Sequence, residues 1–162
     1  MNLVFEFANE FNELQDDKVM LRIIEKNPGD NKMIPFYYYD IFEKKSQRQI
    51  GKVSIRIGHN YHSYYNGNIG YEINEEARGH NYSYYASKLV LGVAVYHGMK
   101  NIYITCSESN AASRKIIERL GADLVETVDV PHDYFGYYDG MDKQCFIKKI
   151  YRRGLSIMFI PV

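Results

Sequence analysis

The sequence has no tryptophan, only two cysteines and no excess of charge of either sign. Its 20 basic and 20 acidic side chains cancel, so the overall charge does not favour nucleic acid as a partner. Cys106 and Cys145 lack the spacing of a metal or redox motif, which indicates a reducing, cytoplasmic setting. No apolar run reaches about eighteen residues, and the acidic N-terminus lacks the basic region of a secretory signal. We therefore expect no membrane partner.

Tyrosine is unusually abundant, since the chain has 16 tyrosines and 8 phenylalanines. The chain is 46% hydrophobic and 25% charged, which is typical of a globular protein, and its 162 residues predict a single domain over 1–162. A buried tyrosine hydroxyl needs a hydrogen-bond partner. We therefore expect many of these tyrosines to be partly exposed or to line a cleft.

The hydrophobic periodicity predicts helices and strands in the order α-β-β-β-β-α-β-α-β-β. The helices are expected over 2–15, from 81 to the glycine at 98, and from 109 or 110 to 121. The strands are expected over 18–26, 35–44, 49–58, 69–75, 100–106, 122–130 and 143–153. Loops are expected over 59–68 and 131–142, the second with at most one helical turn. This order predicts an α/β or α+β fold in which helices cover a mixed sheet.

The stretch EARGHNYSYYASKLV leads from a strand through a tight turn into a helix. First-turn amides have no partner inside their helix, and the helix dipole is positive there, so such a turn can bind phosphate. Arg78 can add a cation and Gly79 relaxes the turn. The same residues also suit an ordinary capped helix after a loop, so both interpretations remain open at this stage.

A second stretch, ITCSESNAASRKIIERLGA, places Asn110 and Ser113 in the first turn of a helix that Gly121 closes. Together with Arg78-Gly79-His80-Asn81-Tyr82-Ser83, one helix and one strand earlier, it resembles the GNAT superfamily of acetyl-CoA-dependent N-acetyltransferases. That superfamily carries the cofactor motif Gln/Arg-x-x-Gly-x-Gly/Ala. The resemblance is good over 50–125 and looks closest to the branch that acetylates the N-termini of ribosomal proteins. It implies a GNAT-like, mostly antiparallel sheet flanked by helices, with two strands splayed at the cofactor site.

The resemblance also implies a binding site for acetyl-CoA. The pantetheine arm would lie between the strands at 69–75 and 101–106, where it would contact the backbone near Ile73 and Asn74. Asn110 would contact the same arm or an ordered water. The pyrophosphate would bind the amides of the turn, which belong to Gly79, His80, Asn81, Tyr82 and Ser83.

The turn departs from the family motif at both glycine positions. Asn81 stands at the first of them, and asparagine is the non-glycine residue best suited to a positive φ. Ser83 stands at the second, where a side chain either hinders the approach of the phosphate or donates a hydroxyl to it.

The catalytic groups are less clearly marked. Many family members have a tyrosine that protonates the leaving thiolate, but Ile117 stands at that position. Ser113, one turn earlier on the same face, is the candidate acid. The alternatives are that Ser113 only bonds the helix backbone, or that water protonates the thiolate. Glu72 is the candidate base, since half-burial would suit it to accept a proton, with a solvated glutamate as the alternative and Glu108 as the second choice. Cys106 is expected to be a buried apolar residue and not a nucleophile.

Most family members wall the acceptor pocket with helices between the first two strands, and here only residues 27–34 lie there. The N-terminal helix or the tyrosine-rich loop 58–68 is expected to replace that wall, with the loop 131–142 on the far side. The tyrosine-rich surface can equally form a homodimer contact. His59 and His62 are expected to be polar loop residues, and no metal site is predicted.

The sequence therefore predicts a cytoplasmic N-acetyltransferase that passes the acetyl group of acetyl-CoA to a primary amine, on a small molecule or a protein N-terminus, by direct attack. One alternative is a catalytically inactive CoA-binding regulatory or interaction protein of the same fold. Another is an aromatic module that stacks on single-stranded nucleic acid, and the zero net charge disfavours it.

Overall fold

The structure is a computed structural model that describes residues 4–141 and, by backbone alone, residues 144–151. Its strands are β1 (Glu13–Gln15), β2 (Val19–Asn27), β3 (Phe36–Glu43), β4 (Gln49–Arg56), β5 (Ile69–Ile73), β6 (Asn101–Ser107), β7 (Asp123–Asp129) and β8 (Gln144–Tyr151). Its helices are α1 (Tyr61–Asn66), α2 (Tyr82–Tyr96) and α3 (Ala111–Arg119), with short 3-10 turns at Asn9–Phe11 and Glu75–Ala77.

The strands form two antiparallel sheets, one in the order β1-β2-β3-β4-β5 and the other in the order β6-β8-β7. Strand β3 shows why the larger sheet has one buried face, because Tyr37, Tyr39 and Ile41 alternate with more exposed residues and are fully buried. They belong to one core with the buried face of α2, which includes Val90 and Leu91. The hydroxyl of Tyr39 donates to the carbonyl of Phe11 at 2.8 Å, which meets the need of a buried tyrosine for a partner.

The two sheets meet where β5 and β6 begin. The N–H of Asn68 donates to the carbonyl of Tyr103 at 2.6 Å, and the N–H of Tyr103 donates to the Asn68 side chain at 2.9 Å. Beyond this point, no ladder of hydrogen bonds joins β5 to β6 in the part of the chain that the structure describes. The predicted α/β fold, with a mostly antiparallel sheet flanked by helices and a splayed pair of strands, is confirmed.

Both longer helices end as predicted, with Gly98 at φ 78° after α2 and Gly121 at φ 80° after α3. Two other predictions are wrong. The segment expected as a helix over 2–15 instead contains a 3-10 turn and β1, because Leu14 pairs with Leu21 across the edge of the sheet. The expected loop 59–68 contains α1, whose start is fixed by a capping box between Asn60 and Ser63.

Among the helices within residues 4–141, none is both long and apolar enough to cross a membrane.

Candidate active site

The turn that precedes α2 uses two left-handed residues. Gly79 has φ 87° and Asn81 has φ 61°. A Cβ on Gly79 would meet nothing within 4 Å, so the backbone conformation and not space favours glycine there. The prediction that Asn81 takes a positive φ is confirmed.

The amides of this turn are open. Asn81 is the N-cap of α2, and its side chain makes no capping hydrogen bond. Within the residues that the structure describes, the N–H groups of 79–81 have no acceptor, and a helix gives its own first-turn amides no internal partner. The turn therefore presents a row of backbone donors at the positive end of a helix of 15 residues, an arrangement that suits a pyrophosphate.

Most side chains of the turn contact other residues of the protein. Arg78 is exposed, and its Nε donates to the carbonyl of Ile73 at 3.1 Å. The hydroxyl of Tyr82 donates to Glu43 at 2.5 Å, and this bond raises the pKa of Tyr82. The His80 ring lies 5.5 Å from the Tyr82 ring, and Ser83 is only 9% exposed. The backbone amides of this turn are therefore more available to a ligand than its side chains are.

The two predicted backbone contacts at the end of β5 already have protein partners. The N–H of Asn74 donates to the carbonyl of Ile50 at 2.8 Å, and its carbonyl accepts from Ala77 at 2.9 Å. The carbonyl of Ile73 accepts from Arg78. Each carbonyl can accept a second hydrogen bond, and movement of the exposed Arg78 side chain frees the one on Ile73.

A tyrosine and a serine meet across the gap between the sheets. The hydroxyl of Tyr71 on β5 donates to Oγ of Ser113 in α3 at 3.2 Å. Burial raises the pKa of Tyr71, while its bond to Ser113 acts in the opposite direction. The N–H of Ser113 donates to the side chain of Asn110 at 3.0 Å, so Asn110 caps α3. Ile117, one turn further along, is fully buried.

Tyr71 was not among the predicted site residues. The sequence does indicate that the Tyr71 hydroxyl needs a polar partner, because Tyr71 lies on the apolar face of β5. The sequence does not identify that partner, which is 42 residues away along the chain.

The candidate bases lie in exposed positions. The Glu72 side chain is exposed on the opposite face of β5 from Tyr71, so of the two alternatives it is the solvated glutamate. It stands directly opposite Lys52 of β4. Glu108 is also exposed, and its carbonyl accepts from Arg114 at 2.6 Å. Cys106 is 9% exposed, so its predicted burial is confirmed.

A cavity of about 390 Å³ lies over the outer face of β3, β4 and β5. Helix α1 and the loop 131–141 form part of its wall and are joined by hydrogen bonds. The hydroxyl of Tyr61 donates to Asp133 at 2.6 Å, and the N–H of Phe135 donates to Nδ1 of His62 at 3.2 Å. Of the two segments considered for this wall, the tyrosine-rich one lines the cavity through α1, while the N-terminal segment packs against Tyr37 and His97.

A second cavity, of about 270 Å³, lies between α1, β6 and the loop 131–141. Asn66 lines both cavities, and Tyr71 and Glu72 line the larger one. Across residues 4–141, no group of three potential metal-ligating side chains is found.

A family model described as an acetyltransferase (GNAT) domain matches residues 5–123. An acetyltransferase of the GNAT family from Bacillus anthracis is similar in structure, with a TM-score of 0.64 and 12% identity over 87% of this chain and 99% of that one. A ribosomal-protein-S5-alanine acetyltransferase from Vibrio fischeri has a TM-score of 0.63 and 13% identity over 86% and 96% of the two chains. RimJ from Mycobacterium smegmatis, solved with CoA-disulfide, has a TM-score of 0.59 and 17% identity over 74% and 55%. No curated protein sequence matches the chain. The model match covers most of the chain and the fold agrees with it, so the chain belongs to the GNAT family of N-acetyltransferases.

Proposed function

We propose that this chain transfers the acetyl group of acetyl-CoA to a primary amine, on a small molecule or a protein N-terminus, by direct attack. The observation that carries the proposal is the turn at 79–83, whose open amides stand beside the gap between β5 and β6. RimJ with CoA-disulfide supports CoA as the kind of ligand, since that protein shares the fold.

The turn would hold the pyrophosphate through the backbone amides of Gly79, His80, Asn81, Tyr82 and Ser83. Arg78 would leave the Ile73 carbonyl and approach the phosphates, which frees that carbonyl for the pantetheine arm. The carbonyl of Asn74 and the side-chain amide of Asn110 would add further contacts along the arm.

The reaction needs a proton removed from the acceptor and a proton given to the leaving group. The acceptor nitrogen attacks the thioester carbon, and the C–S bond breaks. Glu72, facing the larger cavity, would take the proton of the ammonium directly or through a water. Ser113 would protonate the thiolate, and the Tyr71 hydroxyl, which keeps its own proton and donates to Ser113 Oγ, would stabilise the alkoxide until it takes a proton from water.

Calorimetric titration with acetyl-CoA tests binding first. We expect the wild type to bind in the micromolar range and Arg78→Glu to bind at least about tenfold more weakly, because the reversed charge repels the phosphates. Arg48→Glu, an equal charge change on the exposed β3–β4 hairpin, is the control and should bind normally.

Release of free thiol in the presence of a panel of amines then tests turnover. Acetyl-CoA binding together with amine-dependent thiol release supports the proposal. Binding without turnover on a broad panel would replace it with a CoA-binding protein that lacks activity. No binding by the wild type would show that the turn is an ordinary helix start.

A further inference from the structure

The larger cavity contains a half-buried arginine that no carboxylate among residues 4–141 neutralises. Arg56 lies at the end of β4, and its Nη1 donates to the carbonyl of Gly67 at 3.2 Å. The hydrogen-bond network sets the Asn66 amide with its oxygen towards Arg56, where it accepts from Nε at 3.0 Å and Nη2 at 3.2 Å. The Asn66 nitrogen then donates to the hydroxyl of Tyr134 at 3.1 Å.

These contacts hold the guanidinium without neutralising it. They use three of its five N–H groups, so one on each terminal nitrogen has no acceptor among residues 4–141. Within the same residues, no aspartate or glutamate lies within 4.0 Å of Arg56. Burial lowers the pKa of the Arg56 guanidinium. A buried charge is costly without a counter-charge, and an anionic ligand would supply one.

The sheet leaves space for this guanidinium at one glycine. A Cβ built on Gly70 would lie 3.4 Å from both Nη1 and Nη2 of Arg56, and 3.2 Å from the hydroxyl of Ser54. The guanidinium therefore lies over Gly70 on the outer face of β5. Arg56, Gly70 and Ser54 all line the cavity, so the planar donor group is part of its wall.

An acidic group stands nearby on the same face of the same strand. Glu72 is two residues beyond Gly70, which places the two Cα atoms about 7 Å apart along β5. Glu25 also lines the cavity. Lys32 and Lys52 line the cavity as well, with Lys52 opposite Glu72, so Arg56 is distinguished from them by its burial. One cavity thus carries both cations and carboxylates, a pattern that suits a ligand with both an ammonium and an anionic group.

We infer that the acceptor is a small amino acid or a close derivative, with its carboxylate on Arg56 and its amine at Glu72. This inference rests on the proposed acetyl transfer. The planar fork of a guanidinium matches a carboxylate better than an ammonium group does. A cavity of about 390 Å³, closed on one side by α1 and Phe135, has the size for a molecule of this class.

The test compares each of the common L-amino acids with its own carboxamide, which keeps the amine and removes the negative charge. For the amino acid that the wild type acetylates best, we expect kcat/KM to be at least about tenfold higher than for the carboxamide of that amino acid. A hydrogen-bonded charge pair is typically worth that much or more. Arg56→Gln should lose this preference, and Arg56→Lys should recover part of it. Gly70→Ala should reduce it, because the added methyl group crowds the guanidinium.

Lys52→Gln is the matched control, because it removes a cation from the same cavity wall. Its acid-over-amide preference should persist. Loss of the preference in Lys52→Gln but not in Arg56→Gln would overturn the assignment to Arg56.

A binding measurement on the wild type does not depend on variant folding or on turnover. In the presence of CoA, N-acetyl amino acids should bind more tightly than their carboxamides. Equal binding and equal turnover of acids and amides would overturn the inference, as would a clear preference for peptide N-termini over free amino acids. Failure to bind acetyl-CoA at all would instead refute the acetyl-transfer proposal beneath it.

Discussion

The two helices beside the proposed cofactor site both begin with an asparagine, and the two asparagines behave differently. Asn110 has φ −83°, and its side chain accepts from Ser113 and caps α3. Asn81 has φ 61°, and its side chain makes no such bond to α2. The Asn110 side chain thus satisfies an amide at the start of α3, whereas the amides at the start of α2 have no side-chain cap.

Backbone conformation explains this difference. An N-cap side chain reaches the amides of the first turn from an extended or nearby conformation, and the left-handed conformation of Asn81 turns it away from them. Capping at α3 in turn fixes the position of Ser113, whose hydroxyl meets Tyr71 across the gap. We therefore assign binding to the start of α2 and proton transfer to the start of α3, and each assignment can be tested separately.

The largest expected effect is on turnover and comes from α3. Ser113→Ala should lower kcat by about 100-fold, the lower end of the range for a lost general acid, because the hydroxyl would protonate the leaving thiolate. The dissociation constant for acetyl-CoA, measured by calorimetry, should change little. Ser109→Ala removes a nearby exposed hydroxyl and serves as the control. An unchanged kcat in Ser113→Ala would assign the proton transfer to water.

A large effect on binding is expected from α2. Asn81→Val should weaken acetyl-CoA binding by about tenfold or more, because a β-branched residue resists the left-handed conformation that arranges the open amides. Asn81→Gly accepts that conformation and should bind within about threefold of the wild type. Equal affinity of the valine and glycine variants would show that the shape of the turn does not matter for binding.

A smaller effect, mainly on stability, is expected at the cap of α3. Asn110→Ala removes the side chain that accepts from Ser113 and should lower the free energy of unfolding by about 1 kcal/mol, as other lost caps do. Asn81→Ala loses no capping bond, so any destabilisation there comes from its left-handed backbone alone. Urea denaturation of both variants, with Asn110→Ser as the capping control, distinguishes the two causes.

The smallest effect is expected at the far end of α2, on acidification. Burial lowers the pKa of His97, whose Nε2 is 2.8 Å from the hydroxyl of Tyr37. The folded state thus favours the neutral imidazole, and its contribution is complete above the ordinary pKa of about 6.5 and is lost as the pH falls below that value. The free energy of unfolding should fall modestly between pH 7.5 and 5.5, and less so in His97→Gln. An equal fall in the variant would place the pH dependence elsewhere.

Local patterns predicted the parts of the fold that depend on short stretches of chain. The glycines at 98 and 121 mark the ends of α2 and α3, and the strand predicted over 35–44 is β3. Asn81 was placed correctly for the same reason, since its left-handed tendency is a property of the residue itself.

The features that the local patterns did not predict depend on long-range contacts. The N-terminal segment has the spacing of a helix but forms a strand where it meets the edge of the sheet at Leu21. The Tyr71–Ser113 bond and the position of Arg56 over Gly70 join residues from separate elements, and neither depends on a local motif. The short helix α1 had a readable capping signal in Asn60 and Ser63, which its run of tyrosines obscured.

The most direct measurement is a titration of ¹⁵N-labelled protein with CoA, followed through backbone amide resonances. The amides of 79–83 should show the largest changes in chemical shift, and those of 111–113 should show smaller ones, because only the first group is open to the phosphates. Dephospho-CoA, which keeps the pyrophosphate, should reproduce the changes at 79–83. Changes centred on the start of α3, or none at the turn before α2, would contradict the assignment of phosphate binding to the uncapped helix.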